Sequence, residues 1–162
     1  AFTLTVEGTT LQAFNNGEGV GGSVLYEPAL PDWLDLDRPI HFAVVYDGSQ
    51  LELFANGQSV GRGGRSHTQT TGNYASLGAT RLVRGGQTTM TSYRSRVRSI
   101  RFSSGAIYSQ RFSPQLEFSV EPATLLLYRA RDRDGDNVPD QSGRHTTAEI
   151  RGGTSVEWGS CQ

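Results

Sequence analysis

The sequence predicts an all-β protein made of short antiparallel strands, and three observations carry that prediction. First, His41 to Gly61 reads HFAVVYDGSQLELFANGQSVG, where two apolar runs, Phe42 to Tyr46 and Leu51 to Ala55, are followed by Asp47-Gly48 and Asn56-Gly57. Both dipeptides suit two-residue type I′ loops, whose central residues need positive φ, which Gly, Asn and Asp tolerate best. Second, the flanking runs are rich in β-branched and aromatic residues and are too short for ordinary helices. Third, twenty glycines against one methionine favour many turns, and no ten-residue stretch keeps a helical period.

In chain order, Phe2 to Phe14 predicts a hairpin turning near Glu7-Gly8, because Phe2 to Val6 alternates apolar and polar residues. Asn15 to Ser23 is a Gly/Asn loop, and Val24 to Tyr26 a short strand. Pro28 to Pro39 is a crossover punctuated by Pro and Asp, with Trp33 between Asp32 and Asp35. The meander from His41 comes next. Gly61 to Asn73 is a long polar loop, whose length suits a mobile lid or a binding loop. Further strands are expected over Tyr74 to Leu82, Thr89 to Phe102, Leu116 to Glu117 and Leu125 to Tyr128. Ala148 to Arg151 and Ser155 to Trp158 form a closing pair.

At 162 residues the chain predicts one domain, 1–162, able to bury roughly 70% of its unfolded surface. A formal net charge of −1 gives no bulk attraction to nucleic acid or to an anionic membrane. No apolar run approaches the ~20 residues of a membrane-spanning helix, so direct insertion is not expected. All fifteen basic residues are arginine, which excludes Schiff-base lysine chemistry and a P-loop ending in GKS/T. The single cysteine, Cys161, cannot form an intrachain disulfide or a thiolate cage, although it could bridge to another chain.

The meander also carries a family resemblance. His41, Ala43, Tyr46, Asp47, Gly48, Leu51, Leu53, Phe54, Asn56, Gly57 and Val60 meet the pattern H-x-A-x-x-Y-D-G … L-x-L-(Y/F)-x-N-G-x-x-V. That pattern resembles LamG-like (laminin G type) jelly-roll domains of the concanavalin A-like lectin/glucanase superfamily, in their bacterial subgroup. Val97 to Pro114 and Thr124 to Gly143 are similar to two later segments of the same subgroup. The resemblance implies an antiparallel β-sandwich with Tyr108 and Phe112 pinning a connecting segment to the sheet and Trp158 in a closing strand. It also implies that strands lie upstream of Ala1, so that the chain is the C-terminal part of a larger polypeptide. Fold alone does not name a function, since this one hosts lectins, hydrolases, adhesion modules and spacers.

The most chemical-looking element is DRDGDNVPD, Asp132 to Asp140. Asp132, Asp134, Asp136 and Asp140 stand at relative positions 1, 3, 5 and 9, and the Val138 carbonyl at 7 completes the ligand spacing of a Ca²⁺ loop. The motif resembles the repeats of thrombospondin type 3. It departs from an EF-hand, with Gly135 at position 4 and Gly143 where a bidentate Glu belongs. Asn137, at position 6, is expected to supply the left-handed turn. A solvated acidic turn stands beside the calcium interpretation, because Asp140-Gln-Ser142-Gly143 also matches the family's "D.SG" turn.

Arg94, Arg96 and Arg98 alternate on one strand face and could clamp sulfate, uronate or phosphate on a polyanionic glycan, or simply face water. Val97, Ile100 and Phe102 point to the core, and their change of parity predicts a β-bulge near Ser99. Trp33, on its acidic loop, is a candidate platform for a ligand ring. The paired-carboxylate E-x-D-x-x-E strand of related glycosidases does not occur, and His41, His67 and His145 are scattered. The sequence therefore predicts a non-catalytic extracellular, cell-surface or periplasmic module that binds a glycan or protein, with Ca²⁺ ordering one rim. The alternative is a structural accessory or assembly part of a larger surface or periplasmic complex, with a glycan-active enzyme, such as a transglycosidase or lyase, ranked behind both.

Overall fold

The computed structural model describes residues 2–7, 10–15, 23–26, 31–35, 37–63, 79–84, 87–92, 97–144 and 147–150, with the strands at 2–26 and 79–92 described by their backbone. Every strand pairing within them is antiparallel. Among the described residues the regular helical structure is a single 3₁₀ turn, Ala130–Asp132. No helix there is long and apolar enough to cross a membrane. The all-β prediction holds. Contacts divide the chain into two compact units, Ala1–Tyr93 with Ala106–Pro114, and Arg94–Gly105 with Gln115–Gln162.

The first unit begins with β1 (Phe2–Glu7), β2 (Thr10–Asn15) and β3 (Ser23–Tyr26), which form a sheet in that order. The expected hairpin turns where the sequence placed it, with Glu7 opposite Thr10. The meander forms a second sheet of β4 (Phe42–Tyr46), β5 (Leu51–Ala55) and β6 (Gln58–Gly63). A hairpin of β7 (Ala79–Arg84) and β8 (Gln87–Ser92) follows.

As the central strand, β5 is covered on both faces: Leu53, Phe54 and Ala55 are fully buried and Leu51 nearly so. Burying a side chain such as Phe54 contributes about 2 kcal/mol. Its face is closed by the 106–114 segment, where Tyr108 and Phe112 stack at 3.7 Å and 7° and Phe112 lies 5.5 Å from Phe54. His41 meets Phe112 edge-on at 5.4 Å. The aromatic anchor that the resemblance implied is therefore formed.

Asn56-Gly57 makes the two-residue loop its sequence predicts, with φ of 47° and 76° and Ala55 opposite Gln58. Asn56 also holds the strand entry: its N–H donates to His41 O, and its Oδ1 accepts from His41 N. Gly57 is needed for a second reason. A Cβ there would sit 1.9 Å from Phe112 O, while Phe112 N–H donates to Gly57 O at 3.0 Å.

The first turn departs from expectation. Tyr46 pairs with Leu51, so the loop holds four residues, Asp47 to Gln50, and of these only Gly48 has positive φ. The cause is the Asp47 side chain. Its Oδ1 accepts from Ser49 N, Ser49 Oγ and Gln50 N, each at 2.8 Å, so the aspartate closes the loop from its own side chain.

The second unit holds the hairpin-like pair β9 (Ser99–Ser103) and β10 (Thr124–Arg129), and the short pair β11 (Asn137–Val138) and β12 (Ala148–Glu149). The expected strand Thr89 to Phe102 is divided between β8 and β9, with Val97 and Arg98 irregular. The bulge lies on the other strand, between Thr124 and Leu126, rather than near Ser99. Leu116 and Glu117 form no strand. Ala148 and Glu149 pair with β11, while 151–162, including Ser155 to Trp158 and Cys161, fall outside the described residues.

One face expectation is reversed. Phe102 is 52% exposed, whereas the Arg101 side chain is only 4% exposed. Arg101 shares its side of the pair with Leu127, and both lie on the covered side; Phe102 is opposite Leu126 on the other. Arg101 can occupy that position because Glu121 meets it at 2.8 Å and the Phe118 ring covers its guanidinium at 4.8 Å.

Candidate functional site

The acidic loop that suggested calcium folds as a tight hairpin. Asp134 N–H donates to Asn137 O and Asn137 N–H donates to Asp134 O, at 2.8 and 2.9 Å. Gly135, with φ of 57°, supplies the left-handed residue, not Asn137, which joins β11 opposite Glu149. Glycine takes that conformation at no steric cost, so the chain turns at position 4 instead of wrapping onward. The Val138 residue is buried and paired with Ala148.

Each aspartate of the loop has its own surroundings. Asp140 Oδ1 accepts from Leu127 N at 2.9 Å and Ser142 N at 3.0 Å. Its Oδ2 accepts from Ser142 Oγ at 2.6 Å and Arg144 N at 3.2 Å. Asp132 faces two cations, with Arg129 Nη1 3.7 Å from Oδ2 and Arg131 Nε 3.5 Å from Oδ1. Asp134 and Asp136 are exposed. Among the described residues no three His, Cys, Asp or Glu side chains come together to hold a metal ion.

Asp140 also acts on Tyr128, whose hydroxyl pKa is raised above the usual tyrosine value by burial first and by the Asp140 charge second. Both causes disfavour the phenolate. The "D.SG" turn thus works as a latch on β10, with a charged acceptor holding the amide of a fully buried strand residue.

Of the arginine series, Arg98 is exposed just before β9, and its carbonyl accepts from Ala130 N–H at 2.8 Å. Arg94 and Arg96 lie outside the described residues. Trp33 is 47% exposed in the turn that buries its neighbour Leu34. Trp33 belongs to the first unit, and Arg98 and the acidic loop belong to the second.

A second arginine set joins Arg101, the fourth arginine of the YRSRVRSIRF series, to Arg129 and Arg131, whose part was not read from the sequence. Arg101, Arg129 and Arg131 grip the Glu117 to Glu121 segment. Arg129 Nε and Nη2 both donate to Phe118 O, at 3.1 and 2.7 Å, and Arg131 Nη1 meets Glu117 at 2.6 Å. The signal was present in the parity of Arg101, which alternates with Ile100 and Phe102, and in two glutamates four residues apart. No family model, curated protein or solved structure matches the chain.

Proposed function

We propose that this chain is a non-catalytic recognition module, built as a LamG-like antiparallel β-sandwich of jelly-roll topology, that binds a glycan or protein ligand outside the cytoplasm. The observation that carries it is Trp33, a large ring held 47% exposed on a turn between Asp32 and Asp35. A half-exposed indole offers a stacking face to a sugar ring, and Asp32 beside it in sequence is an exposed acceptor, while Asp35 is engaged by Asp37 N at 3.0 Å and Arg38 Nε at 3.1 Å. Four carboxylates are engaged within the protein. Asp140 and Asp47 are spent on backbone amides, and Glu117 and Glu121 on arginines.

Calcium at the 132–140 loop would compete with contacts inside the protein. To ligate a cation, Asp132 would have to leave Arg129 and Arg131, and Asp140 would have to release four donors.

A structural role in a larger surface or periplasmic complex is the second proposal. It is favoured by Phe102, Leu116, Val120 and Leu125 of the second unit, exposed by 52, 80, 50 and 38%. Large apolar side chains left in water suit burial against another subunit. A glycan array with the full chain and its Trp33→Ala variant separates the two. Reproducible hits that vanish in the variant support recognition. Silence, together with stoichiometric co-purifying subunits, replaces it with the assembly role.

A further inference from the structure

The meander sheet carries a depression of about 90 Å³ on the face closed by the 106–114 segment. Its apolar lining includes Val45, Ala106 and Tyr108, and its polar lining includes Gln50, Glu52, Arg62 and Ser109. Asp47, also at the edge, is already spent on its own turn and on Arg62 Nη2 at 2.7 Å.

The other polar groups retain capacity. The Glu52 side chain is 18% exposed, and its one charged neighbour among the described residues is Arg62 Nε at 3.9 Å, too far for a hydrogen bond. Arg62 keeps guanidinium donors beyond its single bond to Asp47. The Gln50 amide and the Ser109 hydroxyl have no side-chain hydrogen bond among the described residues. A half-buried acceptor, a fixed donor and two groups that do both therefore surround an apolar floor.

We infer that this depression binds the terminal residue of a neutral saccharide, resting one C–H face of the ring on Val45 and Tyr108 and its hydroxyls on Glu52 and Arg62. A hydroxyl both donates and accepts, so it uses the carboxylate and the guanidinium together, as neither an anion nor a cation can. Two carboxylates against one guanidinium oppose sulfate, phosphate and uronate. The same net negative charge makes a cation the competing ligand, which the cationic probes below test. Ligand pockets for larger molecules run to roughly 300–1,000 Å³, so this one accommodates a single sugar end. The inference rests on the recognition function proposed above and assigns it a second contact point apart from Trp33.

The test is saturation-transfer NMR on the full chain, with methyl glycosides of neutral hexoses and N-acetylhexosamines as probes. At least one glycoside is expected to receive saturation, with Glu52→Gln weakening it roughly tenfold, the loss of one charge-assisted hydrogen bond. Gln50→Ala, at an exposed side chain, is a second variant that leaves the core intact and is expected to weaken it as well. No saturation in any glycoside overturns the inference. So does binding that both variants retain. Binding lost in Trp33→Ala yet kept in Glu52→Gln overturns this site while leaving the recognition function standing. Stronger transfer to methylguanidinium or butylammonium than to every glycoside overturns it in favour of a basic side chain from a protein partner.

Discussion

Asp140 Oδ1 lies 2.9 Å from the amide nitrogen of Leu127, a residue with no exposed surface, so a side chain thirteen residues downstream completes the hydrogen bonding of β10. Removing that acceptor strands a buried N–H, which costs about 1–3 kcal/mol. Asp140→Ala is therefore expected to lower Tm by several degrees, at about 2–4 °C per kcal/mol for a chain of this size. Asp140→Asn keeps an oxygen for Leu127 and should lose less. Thermal melts of the two variants check the order; equal losses would mean that the charge, not the acceptor, matters.

Among the described left-handed glycines, Gly57 alone leaves no room for a Cβ. Alanine there meets Phe112 O at 1.9 Å and must hold φ of 76°. Left-handed strain of about 1 kcal/mol adds to displacement of the 106–114 segment. Gly57→Ala is expected to cost about 2 kcal/mol or more. Displaced Phe112 also unstacks Tyr108, so the near-ultraviolet circular dichroism of the tyrosine should weaken along with stability. An unchanged spectrum would show that the segment adapts without losing the stack.

Arg101 predicts an asymmetric pair. The arginine side chain is 4% exposed and Glu121 40%. Arg101→Ala removes buried stem, cation–π contact and ion pair together and is expected to cost about 3 kcal/mol. Glu121→Gln leaves Phe118 over the guanidinium and acts at a solvated carboxylate, so about 1 kcal/mol is expected. Urea denaturation of both variants, compared at low and high salt, reads the difference; a salt-sensitive loss in Arg101→Ala would contradict its burial.

Much of the backbone was legible from short-range pattern. Asn56-Gly57 specified its own turn, and β4, β5 and β10 follow β-branched and aliphatic runs bounded by polar residues. The failures share a physical cause: side chains whose partners are distant in sequence. Asp47 redirected its turn through Oδ1, which a dipeptide rule does not see. Arg101 took the covered face because Glu121 and Phe118 neutralise and pack it, so hydrophobic parity assigned Phe102 wrongly. The aspartate spacing of the 132–140 loop was correct as arithmetic. It could not show that Arg129, Arg131 and the Leu127 amide already claim two of the four carboxylates.

Asp47 gives a pH prediction. Amides of Gln50 and Ser49, then the Ser49 hydroxyl and Arg62, hold its carboxyl well below the usual carboxylate range. An unfolded aspartate titrates near about 3.9. A depressed folded value means that the stabilisation is complete above that pH and is lost as pH falls through the folded value. Carbon-detected NMR of the Asp47 carboxyl should show it ionised where exposed aspartates have already protonated. Arg62→Ala should move it only part of the way back, because the backbone donors are the larger cause. Titration at the ordinary aspartate value would show that the loop bonds do not persist in solution.

Calcium at the 132–140 loop would have to displace what the loop already holds. Ligand at 100 times its Kd stabilises a domain by about 2.7 kcal/mol, which is several degrees in Tm. With Asp140 latched to Leu127 and Asp132 between two arginines, millimolar Ca²⁺ against excess EDTA is expected to leave the melt unchanged. A shift of several degrees that Asp134→Ala abolishes would mean that the 132–140 hairpin opens and its carboxylates exchange internal donors for the cation. Asp140→Asn distinguishes the two states further. It should be mild where the residue is a latch, because the amide oxygen still accepts from Leu127, and should abolish the calcium shift where it is a ligand, because the anionic charge is then required.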